Sequence, residues 1–158
     1  MNIITNIFVS LFYVGYIKFW PGTFSSIISL IILYPFVSLN LVNINIFIIF
    51  FLFIFLLSIF FIGKYSAHTK THDSGIIVVD EFLGIYFILI FYNQIFVINS
   101  AITIFLILIF FRIFDIFKFF PANIIDKKMN NPFGVLLDDI VASIYTVIIL
   151  YTINVFIK

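Results

Sequence analysis

Long uncharged, apolar runs alternate with short polar stretches along the chain. The length of each run indicates whether it can cross a membrane. A membrane-spanning helix needs about 20 mostly apolar residues, so the uncharged run at 19–63 predicts two spans separated by the asparagine-rich stretch at 40–45. The run at 82–111 has polar residues at 93–99, and it predicts two shorter helices or a single tilted span. The predicted spans are residues 23–39, 45–63, 81–92, 97–117 and 140–157.

These runs predict an all-α, polytopic membrane bundle of four or five spans, formed by residues 1–158 as a single domain. Of the 158 residues, 65% are hydrophobic and 9% are charged, and the mean hydropathy is +1.32. Because soluble domains carry about 25% charged residues, this composition excludes a water-soluble globular protein. Residues 1–17 are apolar but short for a span, so we expect a retained interfacial or partly buried helix rather than a secretory signal.

Net charge and cysteine content exclude further classes of function. The formal net charge is +1, which provides no clustered positive surface for nucleic acid. The chain contains no cysteine, so disulfides, thiolate metal sites and cysteine nucleophiles are all excluded.

The charged residues are unevenly distributed. All seven acids fall between positions 73 and 139. If the spans are threaded in order, the segments at 15–22, 64–81 and 112–139 emerge on one face, and the loops at 40–45 and 93–99 on the other face have no charge. The first face also holds seven of the eight Lys and Arg residues, so the positive-inside rule predicts that it is cytoplasmic.

The segment at 20–26, Trp-Pro-Gly-Thr-Phe-Ser-Ser, precedes the first predicted span. Its simpler interpretation is a helix start, in which Thr23 or Ser25 caps the free amides and Pro21 and Gly22 set the turn. Amides and hydroxyls at a helix N-terminus also attract phosphate. Thr23 is therefore a candidate phosphate-binding residue.

Two pairs of adjacent acids, Asp80-Glu81 and Asp138-Asp139, lie where two spans are predicted to begin. One acid of each pair could cap its helix, but a second carboxylate at a span end is expensive unless a cation or a function compensates. Carboxylate oxygens suit Mg²⁺ or Mn²⁺ rather than zinc. Asp126, beside two lysines, is interpreted mainly as part of a solvated loop.

Two further groups carry candidate chemistry. His72-Asp73 places a carboxylate next to a titratable ring, although the signal is weak alone. Arg112, Asp115 and Lys118 recur every three residues among Ile and Phe, so on a helix they predict a ridge of alternating charge. A surface salt-bridge stripe is the plainer interpretation, but charges this isolated favour a cavity lined by protein. Together the groups suggest phosphoryl chemistry on a lipid headgroup.

At these residues the chain resembles the phosphatidylglycerophosphatase A family of bacterial inner-membrane lipid phosphatases. Four motifs occur in the family's order, with every ionisable position filled. They are a Pro-Gly-Thr-x-Gly-Ser segment at 21–26, a His-Asp…Asp-Glu segment at 72–81, a Phe-Arg-x-x-Asp-x-x-Lys segment ending in Pro121, and a Gly-x-x-x-Asp-Asp segment at 134–139. The departures are at glycine and proline positions: Ser25 and Ser143 replace glycines, and Phe119 replaces a proline.

The resemblance implies Mg²⁺-dependent removal of the terminal phosphate of phosphatidylglycerophosphate at the inner membrane. We expect Asp80, Glu81, Asp138 and Asp139 as the metal ligands, with Asp73 and Asp115 as further candidates. Arg112 and Lys118 are expected to bind the phosphate, and His72 to serve as general acid or metal ligand. A carboxylate nucleophile and a metal-activated water both remain open, as does the oligomeric state. The alternative is a membrane cation transporter or channel that uses the acid pairs as an ion site.

Overall fold

The computed structural model describes residues 3–71 and 74–157, and its regular structure in these ranges is entirely helical. A short 3₁₀ helix, Val14–Tyr16, follows the first α-helix. The α-helices are α1 (Ile3–Val9), α2 (Pro21–Ser38), α3 (Ile44–Thr69), α4 (Val79–Ile90), α5 (Tyr92–Ile95), α6 (Ser100–Phe117), α7 (Ala122–Lys128) and α8 (Pro132–Ile157).

Four helices, α2, α3, α6 and α8, are long and apolar enough to cross a membrane. The helical membrane bundle predicted from the sequence is therefore confirmed. Asparagine side chains start two of these helices, because the Asn43 side chain accepts from Asn45 N and that of Asn99 accepts from Ile102 N. These capped starts lie beside the two charge-free loops expected from the sequence.

The short helix α4 occupies the centre of the bundle. Its 12 residues extend only about 18 Å, less than the roughly 30 Å of a bilayer core. It packs against α2, α3, α6 and α8, and most of its side chains are buried. A helix that stops at membrane depth is tolerated when protein surrounds it, and the chain continues through α5 to the start of α6.

Close contact between α4 and α8 is possible because Gly84 has no side chain. A Cβ at Gly84 would lie 2.6 Å from the Phe111 ring and 3.0 Å from Ser143 Oγ. Ser143 instead donates to Gly84 O at 2.9 Å, and Ser25 of α2 donates to Val78 O at 2.7 Å. Ser143 therefore attaches α8 to the first half of α4, and Ser25 attaches α2 to the residue that precedes α4.

Two boundaries differ from those predicted. The last span was expected to begin at residue 140, but α8 begins at Pro132, where proline suits the first helical position and Asn131 Oδ1 accepts from Gly134 N. The paired acids of this helix consequently lie at the end of its second turn. Among the described residues of the N-terminal segment, α-helix is confined to α1, which packs against α3. The chain then turns through left-handed conformations at residues 11–13 into the 3₁₀ helix.

Candidate active site

A cavity of about 280 Å³ lies at one end of the bundle, where α2, α4 and α8 begin and α6 ends. The charged residues that line it are Asp80, Glu81, Arg112, Asp115, Lys118, Asp126, Asp138 and Asp139. Distant parts of the sequence thus deliver both acid pairs and two of the three expected phosphate-binding residues, Arg112 and Lys118, to one place. His72 and Asp73, also expected here, lie outside the described residues.

Three carboxylates of the cavity lie close together. Oxygens of Asp80, Glu81 and Asp139 lie within 4.8 Å of one another. Asp80 and Glu81 are in the first turn of α4, and Asp139 comes from the adjacent α8. Glu81 Oε2 and Asp139 Oδ2 are buried without a hydrogen-bond partner. Since buried carboxylates need a compensating charge, this cluster has the donor chemistry and the unsatisfied atoms of a site for a divalent cation.

Asp138 has a different environment from its neighbour Asp139. Its Oδ2 accepts from Lys118 Nζ at 2.6 Å, and its Oδ1 accepts from Asp139 N at 3.1 Å. Asp139 thus joins the carboxylates of α4, whereas Asp138 pairs with the lysine that follows α6. The structure therefore brings three of the four expected metal ligands into one cluster and pairs the fourth with a lysine.

Arg112 borders the carboxylate cluster. Its Nη1 donates to Asp115 Oδ2 at 2.6 Å and lies 3.8 Å from Glu81 Oε1, while its Nε is buried without a partner. A guanidinium has five N–H donors in a planar fork, so this residue keeps donors for an anion in the cavity. Asp115 holds one edge of the fork in place.

Lys118 connects two further acids. It ends α6 in a left-handed conformation, with φ of 42°, and its Nζ donates to Asp126 Oδ1 at 2.5 Å as well as to Asp138. Burial alone would lower the pKa of Lys118, but the hydrogen bonds and charges of Asp126 and Asp138 outweigh burial and raise it above its ordinary value. Lys118 is therefore a cation throughout the physiological pH range.

The predicted ridge of alternating charge needs correction. Arg112 and Asp115 do pair within α6, but Lys118 turns away from that helix and pairs with α7 and α8 instead of with Asp115. The helix ends before the third position of the repeat, so helical spacing does not apply there.

Asp126 was interpreted as part of a solvated loop, and this interpretation is wrong. It lies in α7, lines the cavity and forms an ion pair with Lys118. No spacing rule pointed to it, because the turn after α6 determines where α7 lies. Only its position eight residues after a candidate lysine could have drawn attention to it.

The start of α2 forms another wall of the cavity, beside α4. A Cβ at Gly22 would collide with Glu81 Oε1 and lie 2.8 Å from Arg112 Nη1, so glycine permits the backbone to approach these groups. Trp20 is the N-cap and provides no side-chain cap, contrary to the capping expected of Thr23 or Ser25. The structure places Thr23 beside the cavity, in a shallow groove between α2 and α6.

The fold and this cavity define a helical membrane protein with a cluster of buried carboxylates and basic groups at the end of its spans. The sequence model of the family described as phosphatidylglycerophosphatase A matches residues 7–154. The chain belongs to this family.

Two curated relatives bear the name phosphatidylglycerophosphatase A. The protein of Haemophilus influenzae is 36% identical over 134 residues, which are 85% of this chain and 78% of that protein. The protein of Escherichia coli is 33% identical over 98 residues, which are 59% of this chain and 55% of that protein. No solved structure gives a significant match.

Proposed function

We propose that this protein hydrolyses phosphatidylglycerophosphate to phosphatidylglycerol and phosphate at the cytoplasmic face of a bacterial inner membrane. Its family membership supports the reaction. The observation that carries the proposal is the cluster of Asp80, Glu81 and Asp139 next to Arg112, at the end of membrane-spanning helices. A lipid headgroup would meet the cavity at that level.

We further propose that Asp80, Glu81 and Asp139 hold Mg²⁺. Their oxygens are the hard donors that this ion prefers. Two of the carboxylate oxygens, Glu81 Oε2 and Asp139 Oδ2, are buried and have no hydrogen-bond partner. When bound, the ion would supply charge stabilisation for the phosphoryl group and acidify a water molecule. Asp138, expected from the sequence as a fourth ligand, would act mainly by holding Lys118.

The basic residues would bind the oxygens of the phosphate group. Arg112 retains unused N–H donors beside the cluster, and Lys118 uses two of its three N–H donors for Asp126 and Asp138. Fixed cations in a partly dehydrated cavity stabilise the charge that develops on a phosphoryl group. Asp115 would orient Arg112, and Asp126 and Asp138 would orient Lys118.

Hydrolysis breaks the bond between phosphorus and the ester oxygen, which takes up a proton as phosphatidylglycerol leaves. The oxygen of water ends on phosphate, by direct attack or after transfer of the phosphoryl group to a carboxylate. His72, proposed from the sequence as general acid, and Asp73 are the candidate residues outside the described ranges. Acid quenching during turnover of ³²P-labelled substrate tests the second route, because only that route leaves label on the protein.

The structure does not favour the transporter alternative. Transporters place ion-binding acids near the middle of the bilayer on broken helices. Here Asp80 and Glu81 are in the first turn of α4, and the cluster shares its cavity with Arg112 and Lys118. Those cations would oppose passage of another cation.

Phosphate release from phosphatidylglycerophosphate by detergent-purified protein tests the proposed function. We expect release with Mg²⁺, loss of release on chelation and recovery when Mg²⁺ is restored. Release that persists after complete chelation would contradict the metal assignment. Absence of release under all these conditions, from protein that melts cooperatively, would contradict the function itself.

A further inference from the structure

A groove between α2 and α6 opens directly beside the charged cavity. Its volume is about 330 Å³, and its apolar walls are Ile27 of α2 with Phe105, Leu108 and Ile109 of α6. Trp20 and Arg112 line both the groove and the cavity. The two spaces are therefore adjacent, with Trp20 and Arg112 at their boundary.

The groove leads from the cavity toward the interior of the membrane. Along α2, Ile27 is seven residues beyond Trp20, and along α6, Phe105 is seven residues before Arg112. At a rise of 1.5 Å per residue, each wall extends about 10 Å from the cavity. One end of this path is charged, and the rest is apolar.

We propose that this groove binds an acyl chain of the lipid phosphomonoester while the phosphate group occupies the cavity, an inference that rests on the proposed function. A phospholipid likewise has a charged headgroup at one end and apolar acyl chains along the rest of its length. Arg112 lies at the junction, where the phosphate and the glycerol backbone meet the chain. Trp20 is 77% exposed at the same level, as suits an aromatic residue at a membrane interface.

Two other apolar depressions fit this occupant less well. One lies among α1, α3 and α4, and the other lies between α2 and α3 with α4 at its base. Neither shares a lining residue with the charged cavity. Arg112 lines the groove between α2 and α6 but neither of these depressions.

The test compares Ile27→Trp, which fills the groove, with Ile32→Trp on the same helix. Ile32 lines the depression between α2 and α3 and is 47% exposed, so it is a matched control. Each protein is assayed for phosphate release from dioleoyl-phosphatidylglycerophosphate in mixed micelles and from the deacylated, water-soluble phosphomonoester.

For Ile27→Trp we expect kcat/KM on the dioleoyl lipid to fall at least about tenfold, the effect of withholding roughly two methylene groups from apolar surface. Hydrolysis of the deacylated compound should change less than about twofold, since it lacks the chain. Ile32→Trp should match the wild type on both substrates. Ile109→Trp fills the groove from α6 and should reproduce the result if Ile27→Trp does not fold.

Equal losses on both substrates, or equal behaviour of the Ile27 and Ile32 variants, would overturn the groove assignment while leaving the proposed function intact. A change of mass by light scattering in Ile27→Trp, with dioleoyl hydrolysis retained, would show that a second copy of the chain covers the groove. Failure of the wild type on both substrates would instead overturn the proposed function.

Discussion

Neighbouring acids of this protein have unlike electrostatic environments. Asp138 faces the Lys118 ammonium, whereas Asp139 faces two other carboxylates. A carboxylate beside an ammonium is compensated within the chain. Among the described residues, the cluster around Asp139 has an ion pair with Arg112 alone, at 3.8 Å from Glu81. Substitutions in the two groups should therefore have opposite effects on stability without metal.

Asp139→Asn should lower kcat at least about a hundredfold, since metal positioning and charge stabilisation supply several kcal/mol. It should also remove the stabilisation by Mg²⁺, which for a bound ion amounts to about 2.7 kcal/mol at 100 times Kd. Thermal melting with and without Mg²⁺ measures this independently of turnover. Asp126→Asn, which leaves the cluster untouched, should keep the Mg²⁺-dependent rise in Tm. Loss of that rise in Asp126→Asn alone would contradict the ligand assignment.

Lys118→Gln leaves two acids without their cation, so it should reduce both activity and Tm. The loss of stability should be below the roughly 3–5 kcal/mol of a fully buried pair, because the Lys118 side chain is 27% exposed. Adding Asp138→Asn should recover part of the Tm but no activity if Lys118 binds phosphate. Lys127→Gln, on an exposed lysine of α7, is the control. Restored turnover in the double variant would assign Lys118 a purely structural role.

At the scale of elements, the placement of α4 determines whether the site exists. This helix carries Asp80 and Glu81, and its contact with α8 sets their separation from Asp139. Ser25 and Ser143, which replace glycines expected from the resemblance, each donate a hydrogen bond to the α4 region. These departures therefore add connections between helices at the site.

Gly84→Ala tests the packing of α4. Its Cβ would lie 2.6 Å from the buried Phe111 ring, and overpacking of this kind typically costs about 1–3 kcal/mol. The Cβ would also lie 3.0 Å from Ser143 Oγ of α8. We expect a lower Tm and weaker Mg²⁺ stabilisation, because a shift of α4 away from α8 moves the ligands apart. Gly63→Ala is the matched control, since its Cβ would meet only Pro132 Cγ at 3.4 Å. Equal melting temperatures for the two variants would show that α4 does not depend on this contact.

At the scale of the molecule, the charged residues that line the cavity come from several helices and lie together at one end of the bundle. The opposite end consists of the short connections around Asn43 and residues 96–99. Seven of the eight Lys and Arg residues fall in the segments 15–22, 64–81 and 112–139, which the order of the spans assigns to the face that holds the cavity. This asymmetry supports the proposed cytoplasmic orientation.

Single cysteines introduced at exposed positions test this orientation without background, since the chain has no cysteine. A cysteine replacing Asn43 should react with an impermeant maleimide added to the periplasmic side. A cysteine replacing Asn130 should react only after the membrane is permeabilised. Periplasmic labelling at Asn130 would reverse the proposed orientation of the site.

The amino-acid pattern by itself determined the class of the protein, most of the span positions and most of the charged residues that line the cavity. Long apolar runs must be removed from water, and isolated charges within such runs need partners. Both the runs and the isolated charges can be recognised from neighbouring positions in the sequence. Acid pairs, Arg112 and Lys118 stood out for this reason. The asparagine-rich breaks likewise predicted where helices would begin again.

Only the tertiary structure decided which charged groups meet. It joined Asp80 and Glu81 to Asp139 rather than to Asp138, because one face of α8 packs on α4. It brought Asp126 to Lys118, because the chain turns after α6 and returns as α7. Pairings of this kind depend on the docking of elements and on the backbone between them, which hydrophobic periodicity and residue spacing do not specify.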